Sequence, residues 1–182
     1  MKKILLSGAA IALLPMAAYA NCPAISMEDM QGVAAGAFPQ QYELSEFQAA
    51  ANCTMEFSAN PYQGCEHGCV YCYARNSHEY WGYGAGVDFE RNILIKRDAP
   101  KLLEQTLQKK SWKGNTIVFS GNTDCYQPVE RKLKITRACL EVMLKWKHPT
   151  GIITKNSLIL RDLDLLIEMA KFNTIAVNVS IN

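Results

Sequence analysis

The sequence predicts an α/β fold in which a parallel sheet is covered by helices. Short β-branched runs alternate with helix-period stretches from about residue 116 onward, and the runs are almost continuously apolar. Strands buried on both faces have this composition, because the connecting helices of a parallel sheet pack on both its sides. Four strands are expected, at residues 54–58, 116–120, 151–154 and 174–181.

Helical periodicity fills the chain between these strands. Asp98 and Asp162 are placed to cap the helices that follow them, and Pro100 suits a first turn. A third helix is expected over residues 131–147, ending before His148-Pro149. The side chains expected to face the core are Leu102, Leu103 and Leu107; Leu133, Cys139, Val142, Met143 and Trp146; and Leu163, Leu166, Ile167 and Ala170.

The first twenty residues have the pattern of a secretory signal. Lys2 and Lys3 precede the apolar run Ile4–Leu14, and "AYA" ends at Ala20, as at a small-residue cleavage site. A membrane anchor is disfavoured because the run is shorter than the roughly 20 residues that span a bilayer. No other segment is long enough, so no stable membrane span is expected.

Residues 21–53 are expected to form a short appendage of an exported protein. Cys22 and Cys53 flank a helix-like stretch, and a disulfide between them is the simplest pairing in an exported chain. Residues 1–60 resemble the signal and mature start of a periplasmic solute-binding protein of an ABC transporter. The remaining domain is then expected over residues 54–182.

The charge of the chain is divided unevenly. No Lys or Arg occurs from Ile4 to Ala74, whereas residues 61–182 contain seventeen basic and twelve acidic side chains, a net charge of +5. This excess permits a nucleic-acid or phosphate partner, but lysines on solvated helix faces explain it equally well.

Three cysteines and a histidine fall within the eight residues "CEHGCVYC", on the loop after the first predicted strand. Ligands of parallel α/β sheets sit at this carboxyl edge. A structural zinc site needs four ligands, and Cys65, Cys69 and Cys72 have no second cysteine pair, while His67 is sterically awkward as the fourth. Disulfide pairing would leave one thiol over. A cubane iron–sulfur cluster with one open iron uses three thiolates and no more.

This motif matches the CxxxCxxC signature of the radical S-adenosylmethionine (radical SAM) enzymes, including the aromatic Tyr71 before the third cysteine. The wider sequence resembles the subgroup related to spore photoproduct lyase over about residues 60–182. The resemblance implies a partial (βα) barrel with about four of the family's six βα units. The runs that carry it are "NPYQGCEHGCVYCYAR", "HEYWG", "DFE", "SGNTDCYQPVERKLKITR" and "ITKNSLILRDLDLL".

The resemblance also implies a chemistry. Cys65, Cys69 and Cys72 would bind a [4Fe–4S] cluster, and the methionyl group of S-adenosylmethionine would chelate its open iron. An electron from a low-potential donor of the flavodoxin or ferredoxin type then yields a 5′-deoxyadenosyl radical that abstracts hydrogen from the substrate. Spore photoproduct lyase-like enzymes act on a thymine dimer, which makes a nucleic-acid lesion the expected substrate.

Further residues are assigned to the S-adenosylmethionine site by position in the family's pattern. Many members carry a Gly-Gly-Glu stretch after the second strand, and this chain has Gly121, Asn122, Thr123 and Asp124 there, for which an Asx-type turn is the alternative. Tyr71 would lie against the adenine, or pack in the core. Lys155, next to Thr154, would meet the carboxylate or a substrate phosphate, or be solvated, and Ser180 would face the ribose.

Cys125 is the candidate catalytic residue for the substrate radical. It follows the second strand by a few residues and is expected at the same edge of the sheet as the cysteine motif. A thiol can return a hydrogen atom to a product radical because the S–H bond is weak. The alternative is ordinary packing, since free cysteine is among the most buried residue types.

The two halves of the sequence predict different compartments. The resemblance implies a cytoplasmic enzyme, whereas a secretory signal leads to an oxidising compartment. A fusion of two unrelated reading frames, or a fragment, explains this conflict. The competing function is an exported binding or structural module stapled by Cys22 and Cys53, which would fold in air without iron.

Overall fold

The strands form two sheets in the computed structural model, which describes residues 3–6, 14–15 and 57–181. All described residues belong to one compact unit. The strands of the described part are β1 (Lys3–Leu6), β2 (Leu14–Pro15), β3 (Phe57–Ala59), β4 (Tyr62–Gln63), β5 (Asn92–Ile95), β6 (Ile117–Phe119), β7 (Thr150–Thr154) and β8 (Ile175–Val179).

The larger sheet confirms the predicted α/β class with a parallel sheet. Its strand order is β2-β3-β6-β7-β8. The four strands from β3 to β8 in this order run parallel to one another, whereas β2 is antiparallel to β3. β6 is buried along its whole length, and β7 is buried except at Ile153. The smaller sheet has the order β1-β5-β4, and its strand β4 lies between β3 and the cysteine motif along the chain.

Helices separate the parallel strands, as the alternating pattern predicts. Two stretches are 3-10 helices, Tyr73–Trp81 and Ser157–Asp162. The α-helices of the described part are α1 (Val87–Arg91), α2 (Ala99–Leu107), α3 (Glu130–Leu133), α4 (Ile135–Lys145) and α5 (Leu163–Ala170).

The predicted helix over residues 131–147 is wrong at its start and at its end. Lys134 adopts a left-handed conformation with φ of 54°, which separates α3 from α4. The helix ends at Lys145, and Trp146, expected in the core, is 42% exposed. Cys139 and Met143 are buried as expected, because they lie on the face of α4 that packs on the sheet.

The buried face of α5 also differs from the expected one. Leu165, Leu166 and Met169 face the core, whereas Leu163 and Ile167 are exposed. Asp162 shares the helical face of the three buried side chains at spacings of three, four and seven residues, and it is itself completely buried. Two arginines contact the buried Asp162 carboxylate, and the helix buries a face other than the one that its periodicity predicts.

Asp98 and Asp162 occupy the N-cap positions predicted for them, but neither side chain caps its helix by a hydrogen bond. Strand β8 forms the edge of the described sheet, and Val177 and Val179 are exposed there. None of the helices in the described ranges is long and apolar enough to cross a membrane. The predicted signal over residues 1–20 is described only at β1 and β2, and the predicted Cys22–Cys53 disulfide lies outside the described residues.

Candidate iron–sulfur and cofactor site

The three motif cysteines lie on one loop, residues 64–72, which we call the cysteine loop. Cys65 is buried at its start, and Cys69 and Cys72 are partly exposed further along; all three are free thiols. Gly64 and Gly68 have φ values of 82° and 62°, in the left-handed region that glycine adopts without a steric penalty. The loop can therefore turn twice within five residues.

The cysteine loop is tied to the chain that follows it. The Cys65 amide donates a hydrogen bond of 2.8 Å to the Phe89 carbonyl. Arg75 donates from Nε to the Cys69 carbonyl at 3.1 Å and from its terminal nitrogen to Glu90 at 2.6 Å. This arginine therefore holds the half of the loop that carries the two exposed thiols.

The segment after β6 makes mostly internal contacts at the predicted cofactor residues. Asn122 donates its amide to the Asn60 side chain at 2.9 Å, and the Thr123 hydroxyl donates to the Tyr62 carbonyl at 2.7 Å. The Gly121 carbonyl accepts a hydrogen bond from the Tyr73 hydroxyl, which brings the chain after Cys72 against the end of β6. These contacts position the backbone here, and roles in binding S-adenosylmethionine stay predictions.

Asp124 joins three segments. Its Oδ1 accepts hydrogen bonds from the Tyr126 amide at 2.8 Å and the Thr154 hydroxyl at 2.7 Å, and its Oδ2 accepts from the Lys155 amide at 3.0 Å. The bond to Tyr126 is the Asx-type turn considered as the alternative for this residue. The Oδ2 atom also lies 3.3 Å from His67 Nε2 of the cysteine loop.

The contacts of Asp124 make the free energy of unfolding dependent on pH. Burial alone would raise the pKa of Asp124, but the nearby His67 and the hydrogen bonds from Lys155, Thr154 and Tyr126 outweigh it and lower the pKa. The stabilisation is therefore present above the unfolded value of about 4 and is lost as pH falls through the lower folded value.

Asp124→Asn is accordingly expected to lower the free energy of unfolding of the cluster-free protein by about 1–3 kcal/mol at pH 7, because the new amide faces N–H donors. The loss should shrink below about pH 4. Urea denaturation at both pH values measures this change, with Asp98→Asn as control, since Asp98 is exposed and makes no capping bond. An equal loss at both pH values would contradict the expectation.

Lys155 brings the end of β7 to the cysteine loop. Its Nζ donates to the Tyr71 hydroxyl at 2.9 Å and lies 5.3 Å from the centre of the Tyr71 ring, which is 65% exposed. Hydrogen bonds to Tyr71 and to Cys69 raise the pKa of Lys155. The structure thus places Tyr71, Cys69 and Lys155 together, and Tyr71 is not a core residue.

Ser180 and Cys125 lie at the same edge with different accessibility. Ser180 follows β8 directly, is exposed, and donates its amide to the Thr154 carbonyl at 2.8 Å. Cys125 is completely buried, its amide donates to the Ser120 hydroxyl at 2.7 Å, and burial raises the pKa of its thiol. This burial favours the packing alternative for Cys125, and its role as a hydrogen donor stays a prediction.

The cysteine loop supplies three free thiols, the number that a cubane cluster with one open iron uses. No group of three or more His, Cys, Asp and Glu side chains in the described ranges is arranged to hold a metal ion. In a cubane cluster each thiolate binds a different iron, so the sulfurs need not converge on one point as they do around zinc. Burial raises the pKa of Cys65 to about 11, so cluster binding would release its proton.

Sequence reasoning missed two residues that hold this loop. Arg75 contacts the Cys69 carbonyl, and the completely buried Gln127 contacts both sides of Cys65. Arg75 lies three residues after Cys72 inside the quoted motif, which was a usable signal. Gln127 lies more than fifty residues away, and no local pattern marks it.

Relatives with similar sequences come from bacteria and archaea. An uncharacterized protein of Mycobacterium tuberculosis is 33% identical over 138 residues, covering 76% of this chain and 41% of the relative. An uncharacterized protein of Methanocaldococcus jannaschii is 35% identical over 127 residues, covering 70% of this chain and 44% of the relative. The chain thus spans less than half the length of these curated relatives. No solved structure matches it significantly.

The sequence model of the radical SAM superfamily matches residues 59–181, which include the last residue of β3, the whole cysteine loop and the parallel strands β6, β7 and β8. The match therefore covers the segments that meet at the candidate site. This chain belongs to the radical SAM superfamily.

Proposed function

We propose that the chain carries the radical-forming site of a radical SAM enzyme, with Cys65, Cys69 and Cys72 as the ligands of a [4Fe–4S] cluster. The observation that carries the proposal is the contact of Lys155, at the end of β7, with Tyr71 of the cysteine loop. It supports an arrangement in which the thiols lie over the carboxyl ends of the parallel strands, where ligands of such sheets bind.

When bound, the cluster supplies one-electron cleavage of S-adenosylmethionine, which yields a 5′-deoxyadenosyl radical that abstracts hydrogen from a substrate. The side chains of the protein would bind S-adenosylmethionine and orient it. Tyr71 offers an exposed aromatic face for the adenine, and the Lys155 ammonium offers a positive charge for a carboxylate. Asp124 keeps the Lys155 backbone in place through its amide.

The finer assignment is to the spore photoproduct lyase-related subgroup, with a nucleic-acid lesion as substrate and a low-potential flavodoxin or ferredoxin as electron donor. It rests on the motifs around Cys65 and Cys125, and the net charge of +5 over residues 61–182 is compatible with it. In a full-length homologue, Cys125→Ala is expected to leave S-adenosylmethionine cleavage intact and to divert the substrate radical into side products. An unchanged product profile would leave Cys125 as a packing residue.

The experiment that tests the proposed function is anaerobic reconstitution with iron and sulfide, followed by iron and sulfide assays and absorbance near 400 nm. The wild-type chain is expected to take up one cluster, and Cys69→Ala is expected to lose it, because one of the three thiolates is missing. Cys139→Ala is the matched control, since Cys139 is a free thiol buried on α4, outside the cysteine loop.

Iron content unchanged by Cys69→Ala would contradict the proposed function. Stoichiometric displacement of iron by zinc would contradict it as well and would favour a zinc module. A colourless, disulfide-linked protein that folds in air without iron would favour the exported module.

A further inference from the structure

The cysteine loop is held on both sides of Cys65 by one side chain from a distant part of the chain. Gln127 donates from Nε2 to the Gly64 carbonyl at 3.0 Å, and its Oε1 accepts from the Glu66 amide at 3.0 Å. Gln127 is completely buried, as is its neighbour along the chain, Tyr126. The backbone groups on both sides of Cys65 are therefore hydrogen-bonded to the same side-chain carboxamide.

The chemistry of glutamine suits this position. The Gly64 carbonyl needs a donor and the Glu66 amide needs an acceptor, and a carboxamide supplies both from one planar group. An apolar side chain of the same size would remove both hydrogen bonds, and a carboxylate would place an oxygen against the Gly64 carbonyl.

The segment that carries Gln127 is itself anchored. The backbone amide of Gln127 donates to the Asp124 carbonyl at 3.3 Å, and the backbone carbonyl of Gln127 accepts from the Glu130 amide at 2.9 Å. Thr136 on α4 also donates to the Cys125 carbonyl at 2.6 Å. A displacement of Cys65 relative to the end of β6 would therefore have to break the bonds of Gln127.

We propose that Gln127 is a positioning residue for Cys65, which fixes the first thiolate of the site by bridging the Gly64 carbonyl and the Glu66 amide. This inference rests on the proposed cluster site. Outer residues that orient metal ligands typically contribute about 10-fold to 100-fold in metal affinity. Gln127 acts on the backbone that carries the ligand rather than on its sulfur.

The test combines two variants with a matched control. Gln127→Met removes both hydrogen bonds at similar volume, and Gln127→Glu keeps the acceptor for Glu66 but loses the donor to Gly64. Thr150→Val is the control, because it removes one buried hydrogen bond, to the His148 carbonyl at 2.8 Å, at the start of β7 and touches neither the Gln127 segment nor the cysteine loop.

The first measurement is thiol alkylation of the cluster-free full chain, followed by mass spectrometry of each cysteine. Cys65 is expected to react about 10-fold faster in both Gln127 variants, because the loop opens locally, while Cys139 stays protected. Thr150→Val should leave the Cys65 rate near that of the wild type. The second measurement is iron loss to a chelator after reconstitution, expected to be about 10-fold faster in the Gln127 variants.

Cys65 rates in both Gln127 variants equal to those of the control would overturn the inference. Simultaneous exposure of Cys139 in both variants would also overturn it, since Gln127 would then support the fold as a whole. A wild-type chain that takes up no iron would refute the proposed function instead, and the alkylation rates of the cluster-free protein are independent of that outcome.

Discussion

Replacement of Arg161 by methionine is expected to lower the free energy of unfolding by about 3–5 kcal/mol, the typical cost of removing one partner from a buried ion pair. Arg161 donates to Glu130 at 2.7 Å and to the two carboxylate oxygens of Asp162 at 2.8 and 2.7 Å. Both carboxylates are completely buried. The total free energy of unfolding of a folded domain is only about 5–15 kcal/mol, so this loss is large.

The remaining partners do not replace the arginine. Glu130 keeps hydrogen bonds from the Tyr62 hydroxyl and the Thr136 amide, and Asp162 keeps Arg137 at 2.9 Å. Arg137 also binds the exposed Asp164, and Glu130 would lose the guanidinium of Arg161, so a buried negative charge would be left with neutral donors. Desolvation of the uncompensated charge is the main physical cost.

Chemical denaturation of the cluster-free protein measures this loss. Burial alone would raise the pKa of Asp162, but hydrogen bonds from Arg161 and Arg137 lower it, so the stabilisation is present above about pH 4 and fades as pH falls further. The effect of Arg161→Met should therefore be largest at pH 7. Lys171→Met is the control, because Lys171 pairs with Glu168 at an exposed site, and little change is expected. Equal losses in the two variants would refute the expectation.

Replacement of Gly64 by alanine is expected to cost about 2–5 kcal/mol and to weaken cluster retention, for two separable reasons. A residue with a Cβ at φ of 82° pays about 1–2 kcal/mol for the left-handed conformation. The new Cβ would also lie 2.9 Å from the Phe89 carbonyl oxygen and 3.1 Å from that of Asn92. Both are backbone atoms that cannot rotate away, so overpacking adds about 1–3 kcal/mol.

Gly114→Ala separates the two reasons. Gly114 has φ of 75° and no atom within 4 Å of an added Cβ, so this variant pays the conformational cost alone. Denaturation midpoints of the two variants should differ by the overpacking contribution, and only Gly64→Ala should lose iron faster after reconstitution. Equal effects on stability and on iron retention would show that the close approach of Gly64 to Phe89 is unimportant.

The sequence alone determined the features that depend on neighbours along the chain. The four parallel strands are apolar runs bounded by turn residues, and each appears within a few residues of its predicted place. The cysteine motif is also local, because spacings of four and three residues put Cys65, Cys69 and Cys72 on one loop whatever the rest of the chain does.

Only the tertiary structure decided which side chains surround that loop and which face of α5 is buried. Gln127, Asp124 and Lys155 reach the cysteine loop from 57 to 84 residues further along the chain, and no period in the sequence encodes such contacts. The apolar pattern of α5 predicted Leu163 and Ile167 inside, but the helix buries the face that carries Asp162. The physical reason is that α5 is apolar on more than one side, so its periodicity is compatible with several rotations, and contacts with the folded core select the face with Leu165, Leu166 and Met169.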